Sequence, residues 1–332
     1  MSMISKRGQR IANNSSILSD VWERLLLDGY HKTDNPQGII NLGTSENKLM
    51  YDILKPKFQE PASREIQEHH TQYCDFRGTY EFRKAVAEFL DHYMKPLENI
   101  DPDNLCVING CNAIVEAMGT VLADPGEGFL LPTPYYGGFQ IDLKQRAEVV
   151  PFPVYLTNKP VRGETGPFQL SVYRLEKAMD EAKKQNIKIR ALLLCNPNNP
   201  FGYIYSEKLL QDFLEFAQRN SLHVIIDEIY LLSIFKKEYS MKSMLALNNL
   251  PDKQYVHVIW GFSKDFGISG FRCGVLHTWN KEVLGALWWI SYFQCVPTST
   301  QCLLLNLIND RVNDERSIRS RCRNDFVEVV LR

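Results

Sequence analysis

Between residues 105 and 260, short wholly apolar runs alternate with amphipathic segments, and few architectures accommodate that pattern. Leu105–Ile108, Phe129–Leu131, Glu148–Val154, Ala191–Leu194, Val224–Ile226 and Tyr255–Trp260 read as strands. The segments between them carry apolar residues at helical spacing. Ile114, Met118, Val121 and Leu122 share a stripe after Asn112, and a short helix reaches about Arg146. Leu175, Ala178, Met179 and Ala182 share another, over Ser171–Gln185. Leu209, Phe213, Phe216 and Ala217 follow the capping residue Ser206. Upstream, Thr79 caps a helix running to about Met94, with Phe82, Val86, Phe89, Leu90 and Tyr93 on one face. A strand that is apolar at every position is covered on both faces. The expectation is therefore an α/β fold, a mainly parallel sheet between helix layers in a three-layer α/β/α arrangement. Pro151 and Pro153 put their strand at an edge.

In an open parallel sheet, ligands collect at the carboxyl ends of the strands. Gly110, Cys111, Asn112, Asn199, Asp227, Tyr230 and Lys264 all fall just after predicted strand ends, far apart in sequence but on one rim. Singly, each has a plainer explanation: a turn, a loop, a cap, a surface lysine. Together they offer a definite chemistry. The turn at 109–112 opens a helix and presents backbone N–H groups suited to a phosphate. Arg272 adds a planar fork of charge. Asp227, at the end of an apolar strand, needs a cationic partner to be buried without loss. Asn199 and Tyr230 can hydrogen-bond a phenolic oxygen, Tyr135 or Tyr136 can stack on a ring, and Lys264 can form an imine with an aldehyde. Pyridoxal 5′-phosphate combines a phosphate, a pyridinium nitrogen, a phenolate and an aldehyde on one ring.

The stretches Asn41-Leu-Gly-Thr-Ser-Glu-Asn47, Pro132-Thr-Pro-Tyr-Tyr136, Asn196-Pro-Asn-Asn-Pro200, Val224-Ile-Ile-Asp-Glu-Ile-Tyr230 and Ser263-Lys-Asp-Phe-Gly-Ile-Ser-Gly-Phe-Arg272 occur in that order. As a set they resemble the fold-type I, aspartate-aminotransferase-like pyridoxal-phosphate enzymes (class I/II aminotransferase superfamily), and within them 1-aminocyclopropane-1-carboxylate (ACC) synthases and their animal homologues. The resemblance covers roughly residues 35–290. It implies an aspartate-aminotransferase-like large domain and a small domain incomplete at the C-terminus. It divides the chain into an N-terminal arm with part of the small domain (1–70), a cofactor-binding large domain (71–294) and a divergent tail (295–332). It implies that Lys264 carries the cofactor and moves protons, Asp227 pairs with the ring nitrogen, Tyr230 and Asn199 hold the ring oxygen, and Tyr136 stacks. Arg272 with Gly110, Cys111 and Asn112 would bind phosphate, and Glu46 would lie near the substrate. An amino acid or an S-adenosylmethionine-like molecule would be that substrate, and the assembly a homodimer with the N-terminal arm crossing to its partner.

Three features depart from the family pattern. Gly261 stands where a serine usually binds phosphate. Phe76 stands where a tyrosine usually reaches the neighbouring subunit's cofactor. Past Cys295 there is no second arginine motif for a substrate carboxylate, and Arg319, Arg321 and Arg323 read as a solvated helix face. The alternative expectation is therefore a catalytically weak or inactive homologue with a scaffold or regulatory role.

Composition narrows the classes further. Thirty-eight basic and 39 acidic residues among 332 leave a formal charge of −1, which supports neither nucleic-acid nor anionic-membrane binding. Eight cysteines show no C-x-x-C pair and no zinc-type spacing, so no metal is expected. Cys106 and Cys195 lie in apolar runs as buried thiols, a usage that fits a reducing, cytoplasmic setting. The first ten residues lack an apolar signal core, and Val283–Phe293 is too short to span a bilayer.

Overall fold

The computed structural model describes residues 3–14, 16–47, 50–234 and 238–309. Seven strands form one sheet: β1 (Leu105–Ile108), β2 (Gly128–Thr133), β3 (Val150–Tyr155), β4 (Ile189–Cys195), β5 (His223–Asp227), β6 (Val256–Gly261) and β7 (Gly274–Thr278). Their spatial order is β1-β7-β6-β5-β4-β2-β3, which makes β3 an edge as its prolines require. Neighbours pair in parallel from β3 to β6, while β7 is antiparallel to both β6 and β1. The sheet is thus mainly parallel, with one reversed strand that the sequence reading did not include. Its apolar run, Val275-Leu276, is short and follows a glycine-rich turn, so it carries no strong strand signal.

The two-residue pleat sorts each strand's side chains to opposite faces. Leu105, Val107, Leu192, Leu194, Val224, Ile226, Val258 and Trp260 join one core, under helices α5 (Tyr80–Met94), α8 (Val172–Lys184) and α9 (Glu207–Arg219). Cys106, Ile108, Leu193, Ile225, Ile259 and Leu276 join the other, under α6 (Cys111–Leu122), α7 (Gly138–Lys144) and α11 (Lys281–Gln294). This is the expected three-layer arrangement. The predicted caps hold: Thr79 accepts from Phe82 N–H, and Ser206 from Leu209 N–H. The strand expected from Glu148 begins at Val150 instead. Glu148 has a positive φ of 58° and turns the chain into the strand, with Arg10 2.8 Å from its carboxylate.

At the ends of the chain, α1 (Lys6–Ala12) and α2 (Ile17–Asp28) leave Trp22, Leu26 and Leu27 exposed. The cap of α2 is Ser16, which forms a reciprocal capping box with Ser19. Helix α12 (Thr298–Asn309), within the segment expected to be a divergent tail, buries Leu304, Leu307 and Ile308. It packs on α5 and on the short helices α3 (Tyr51–Gln59) and α4 (Pro61–Arg64). Asn306 Nδ2 donates to Glu60 Oε2 at 3.0 Å and Ser63 Oγ at 2.6 Å, and Lys57 pairs with Glu60 at 2.8 Å. Arg319, Arg321 and Arg323 lie outside the described residues.

At the end of the sheet away from the candidate ligands, His257 and His277 are buried among strands and His223 is half-buried beside them. His223 Nδ1 and His257 Nε2 share a hydrogen bond of 2.9 Å, and His257 Nδ1 shares one of 2.8 Å with Thr278 Oγ1. His277 packs edge-on against Trp279, with ring centroids 4.4 Å apart. Burial pushes His277 down to about 3. A histidine held neutral in the fold takes up its proton on unfolding, so its stability contribution is complete above about pH 6.5 and is lost as the pH falls toward 3. His277→Phe is expected to be close to neutral at pH 7.5 and to be relatively stabilising near pH 4.5, read as the difference in unfolding free energy at the two pH values. An equal difference at both would show that this ring does not titrate with unfolding.

Candidate functional site

The reversed strand decides where the site forms. Because β7 runs against its neighbours, its first residue, Gly274, pairs with the last residues of both β1 (Ile108) and β6 (Gly261). Arg272, just before β7, therefore reaches the rim where β1, β4, β5 and β6 end. The closeness is backbone on backbone: a Cβ on Gly274 would lie 2.5 Å from Gly110 C and 2.6 Å from Cys111 N. Gly110 itself has a φ of +92°, and a Cβ there would lie 2.6 Å from Arg272 Nη2. The Arg272 guanidinium thus lies directly over the turn that opens α6. It donates to Ser269 O at 3.0 Å, and Nη2 is 3.5 Å from Asn109 O. The first-turn N–H groups of α6 have no acceptor within the helix. With Arg272 they make an anion cradle that only glycine at 110 permits.

Gly261 is explained by the same crowding. A Cβ at 261 would lie 2.7 Å from Cys111 Sγ and 3.0 Å from Cys273 O. The Cys111 thiol fills that space, and its S–H is directed at Trp260 O, 3.4 Å away. Gly261→Ser is therefore expected to overpack this end of the site and to destabilise the fold by about 1–3 kcal/mol. Combining it with Cys111→Ala should recover most of that loss in chemical denaturation. Additive losses in the double variant would show that the two positions do not share the space.

Lys264 sits in a one-turn helix, α10 (Phe262–Asp265), directly after β6. Asp265 anchors that turn: Trp260 Nε1 donates to Oδ2 at 3.0 Å, while Leu232 N–H and Ser233 Oγ–H donate to Oδ1 at 3.1 and 3.2 Å. Lys264 Nζ reaches back to Ser45 O at 3.4 Å. Burial lowers the Lys264 pKa, against the opposing pull of Cys111, Glu46 and Asp227. Asp227, at the end of β5 between Cys195 and Ile259, is 5% exposed. Ile229 N–H donates to its Oδ1 at 3.1 Å. Burial nevertheless drives Asp227 up to about 7, with Ile229 and Lys264 pulling the other way. Beside it, Asn199 Nδ2 donates to the Tyr230 hydroxyl at 3.1 Å.

Tyr136 lies over Gly138, where a Cβ would be 2.3 Å from Cε1 of its ring. Burial raises the Tyr136 pKa, against the opposing pull of Asn112. The Asn112 amide Nδ2 donates to Asp142 at 2.9 and 3.1 Å. Asp142 is a buried acid that the sequence reading missed. Its signal was legible: Phe139, Asp142 and Leu143 share one face of α7, which puts a carboxyl on an apolar stripe.

Two cavities flank this cluster. One, of about 880 Å³, is lined by Glu46, Tyr51, Phe58, Asn109, Arg272 and Thr300 among others. The other, of about 750 Å³, is lined by Ser45, Asn199, Phe201, Tyr203, Tyr230 and Tyr239 among others. The turn at 45–46 stands between them, and Lys264 holds its carbonyl. Phe76 packs within its own chain, edge-on to Trp288 and Tyr292 at 6.0 and 5.0 Å. Among the described residues no group of three or more His, Cys, Asp or Glu side chains is placed to hold a metal, and no helix is long and apolar enough to cross a membrane.

The residues present fit pyridoxal phosphate. The glycine-walled cradle with Arg272 suits a phosphate. The Asn199–Tyr230 pair suits a phenolic oxygen. The buried Asp227, held near neutrality for want of a strong cation, suits a ring nitrogen that carries a proton. Fold and site together define an aspartate-aminotransferase-like protein. The family model for aminotransferase class I and II matches residues 37–325, and the chain belongs to that family. It is 47% identical over 283 residues to the human protein named probable inactive ACC synthase-like protein 2, covering 85% of this chain and 50% of that one. It is 39% identical over 337 residues to human ACC synthase-like protein 1, covering 100% of this chain and 67% of the relative. The aspartate aminotransferase of Rhizobium meliloti superposes with a TM-score of 0.74 at 21% identity, over 99% of this chain and 75% of that one, a likeness of fold. The chain spans about half the length of the first of these relatives.

Proposed function

We propose that this chain binds pyridoxal 5′-phosphate at the rim formed by β1, β4, β5, β6 and β7, and acts there on an amino-acid substrate. The observation that carries the reading is the meeting of Lys264, a buried Asp227, the Asn199–Tyr230 pair and the Arg272–Gly110 cradle at one edge of the sheet. Bound there, the cofactor would supply an aldehyde and an electron-accepting ring.

The chain's own residues divide the remaining work. Arg272 and the N-terminal turn of α6 hold the phosphate and fix the ring's position. Asp227 keeps a proton on the ring nitrogen. Asn199 and Tyr230 hold the ring oxygen, and Tyr136 covers a face. The lowered pKa of Lys264 raises its neutral fraction, so Nζ can take a proton from the substrate Cα and return it. Glu46 lines the larger cavity together with Arg272, on the side open to a substrate. Class I/II aminotransferases act on amino-acid substrates and are usually dimers. A second copy of this chain and the exposed face of α2 fit that pattern.

A second reading is favoured by one observation. Among the described residues lining the two cavities, Arg272 is the one guanidinium, and it belongs to the phosphate end. No arginine is left there for a substrate carboxylate. In this reading the chain holds the cofactor without turning over, in keeping with the name of the 47%-identical human relative. A spectral titration separates the two readings. Purified chain loaded with pyridoxal phosphate is mixed with amino acids and with S-adenosylmethionine. A shift of the bound-cofactor band with one of them supports catalysis on that class. An unmoved band with all of them leaves the binding role alone, and no bound-cofactor band at all defeats both.

A further inference from the structure

Asp142 is a buried acid whose charge acts on the Tyr136 hydroxyl. The residue is 9% exposed, on the buried face of α7. Both oxygens accept from Asn112 Nδ2, at 3.1 and 2.9 Å. Asn112 lies in the first turn of α6, where its side chain opposes the burial-driven rise of the Tyr136 pKa. One chain of contacts therefore runs from α7 through α6 to the ring that lies over Gly138. The Tyr136 ring has few other constraints. It is 38% exposed, and its one close aromatic neighbour among the described residues is Phe139, edge-on at 5.4 Å. Gly138 beneath the ring and Phe139 at its edge are apolar contacts, so they leave its hydroxyl end to be fixed by polar neighbours.

The cost of this arrangement indicates what it does. A carboxyl buried on an apolar stripe is unfavourable unless well hydrogen-bonded, and burial drives Asp142 up to about 7. An apolar residue at 142 would suit the helix better. Keeping the acid gives the Asn112 amide a bidentate acceptor that fixes which way its oxygen points. The oxygen side is then turned from Asp142, and the remaining amide hydrogen is free for the tyrosine. We propose that Asp142 is a positioning residue of the cofactor site, orienting Asn112 and, through it, the Tyr136 ring that covers the cofactor. This rests on the cofactor reading above.

Three variants test it: Asp142→Ala, Asp142→Asn and Asn112→Ala. Asp142→Asn keeps an oxygen acceptor for Asn112 without the charge. Pyridoxal phosphate affinity, read by quenching of intrinsic fluorescence, should fall about tenfold in Asp142→Ala and in Asn112→Ala, the loss of roughly one hydrogen-bonded contact. Asp142→Asn should stay within about threefold of the parent, and Asp142→Ala with Asn112→Ala combined should be no worse than either alone. Equal affinity in all variants overturns the proposal. So does an equal loss in Asp142→Asn and Asp142→Ala, because the charge rather than the hydrogen bond would then be acting. A second measurement needs no cofactor. The side-chain amide resonances of Asn112 in labelled protein should move in Asp142→Ala and hold in Asp142→Asn, and unmoved resonances in both overturn the proposal. If the parent chain binds no pyridoxal phosphate while those resonances respond as expected, the cofactor reading fails and the Asp142–Asn112 link stands as packing alone.

Discussion

Lys264→Ala is expected to abolish covalent capture of pyridoxal phosphate. Borohydride reduction of the loaded parent chain should leave the reduced cofactor's mass on the peptide spanning α10, and the alanine variant should carry none. The physical argument lies in the placement of the amine. α10 is a single turn, fixed by three hydrogen bonds to Asp265, and it presents Nζ to the rim within electrostatic reach of Cys111, Glu46 and Asp227. Burial lowers its pKa, and only a neutral amine attacks an aldehyde. The phosphate cradle is untouched by the substitution, so weaker non-covalent binding should persist and be visible by equilibrium dialysis. Cofactor mass on a different lysine in the variant would disprove the assignment.

Asp227→Asn should stabilise the cofactor-free chain and weaken its hold on the cofactor. In the cofactor-free chain the acid's pKa is raised, from about 3.8 to about 7. A carboxyl raised in the fold binds more protons folded than unfolded. Its burden on stability is small near pH 4, grows as the pH rises toward 7 and levels off above it. At pH 8 that burden amounts to at most roughly 4 kcal/mol. Cofactor-free Asp227→Asn should therefore unfold at higher denaturant than the parent at pH 8, and the gain should be small near pH 4. With cofactor that gain shrinks. A cationic ring nitrogen lets the parent's carboxylate ionise in place, and the amide cannot supply that charge. Losing a charged hydrogen bond should weaken cofactor binding by about 10–100-fold. Thermal unfolding with and without pyridoxal phosphate measures both effects. A variant stabilised by the cofactor as strongly as the parent would remove Asp227 from the site.

The three-layer fold was legible in the sequence because burial on two faces leaves a mark that needs no knowledge of neighbours. The strands β1, β2, β4, β5 and β6 are apolar at nearly every position, and the helices between them are apolar on one stripe. Strand β3 was read as an edge from Pro151 and Pro153, and it is one. The same logic brought Gly110, Asn199, Asp227, Tyr230 and Lys264 to one rim, since each follows a strand end. Reversed strands leave no such mark, so β7 went unread, and with it the reason Arg272 meets Gly110. Helix α12 also went unread as part of the core, because Leu304 and Leu307 find their neighbours in α3, α4 and α5, more than 200 residues earlier.

The sequence alone determined which elements form and which residues stand at their ends, because hydrophobic period and capping are local properties of the chain. Tertiary structure alone decided three pairings at the site. Gly261 is required by a thiol 150 positions away, Asn112 is committed to Asp142, and Arg272 lies over Gly110. Each is a matter of distance between atoms brought together by strand order, and neither spacing nor composition encodes that order.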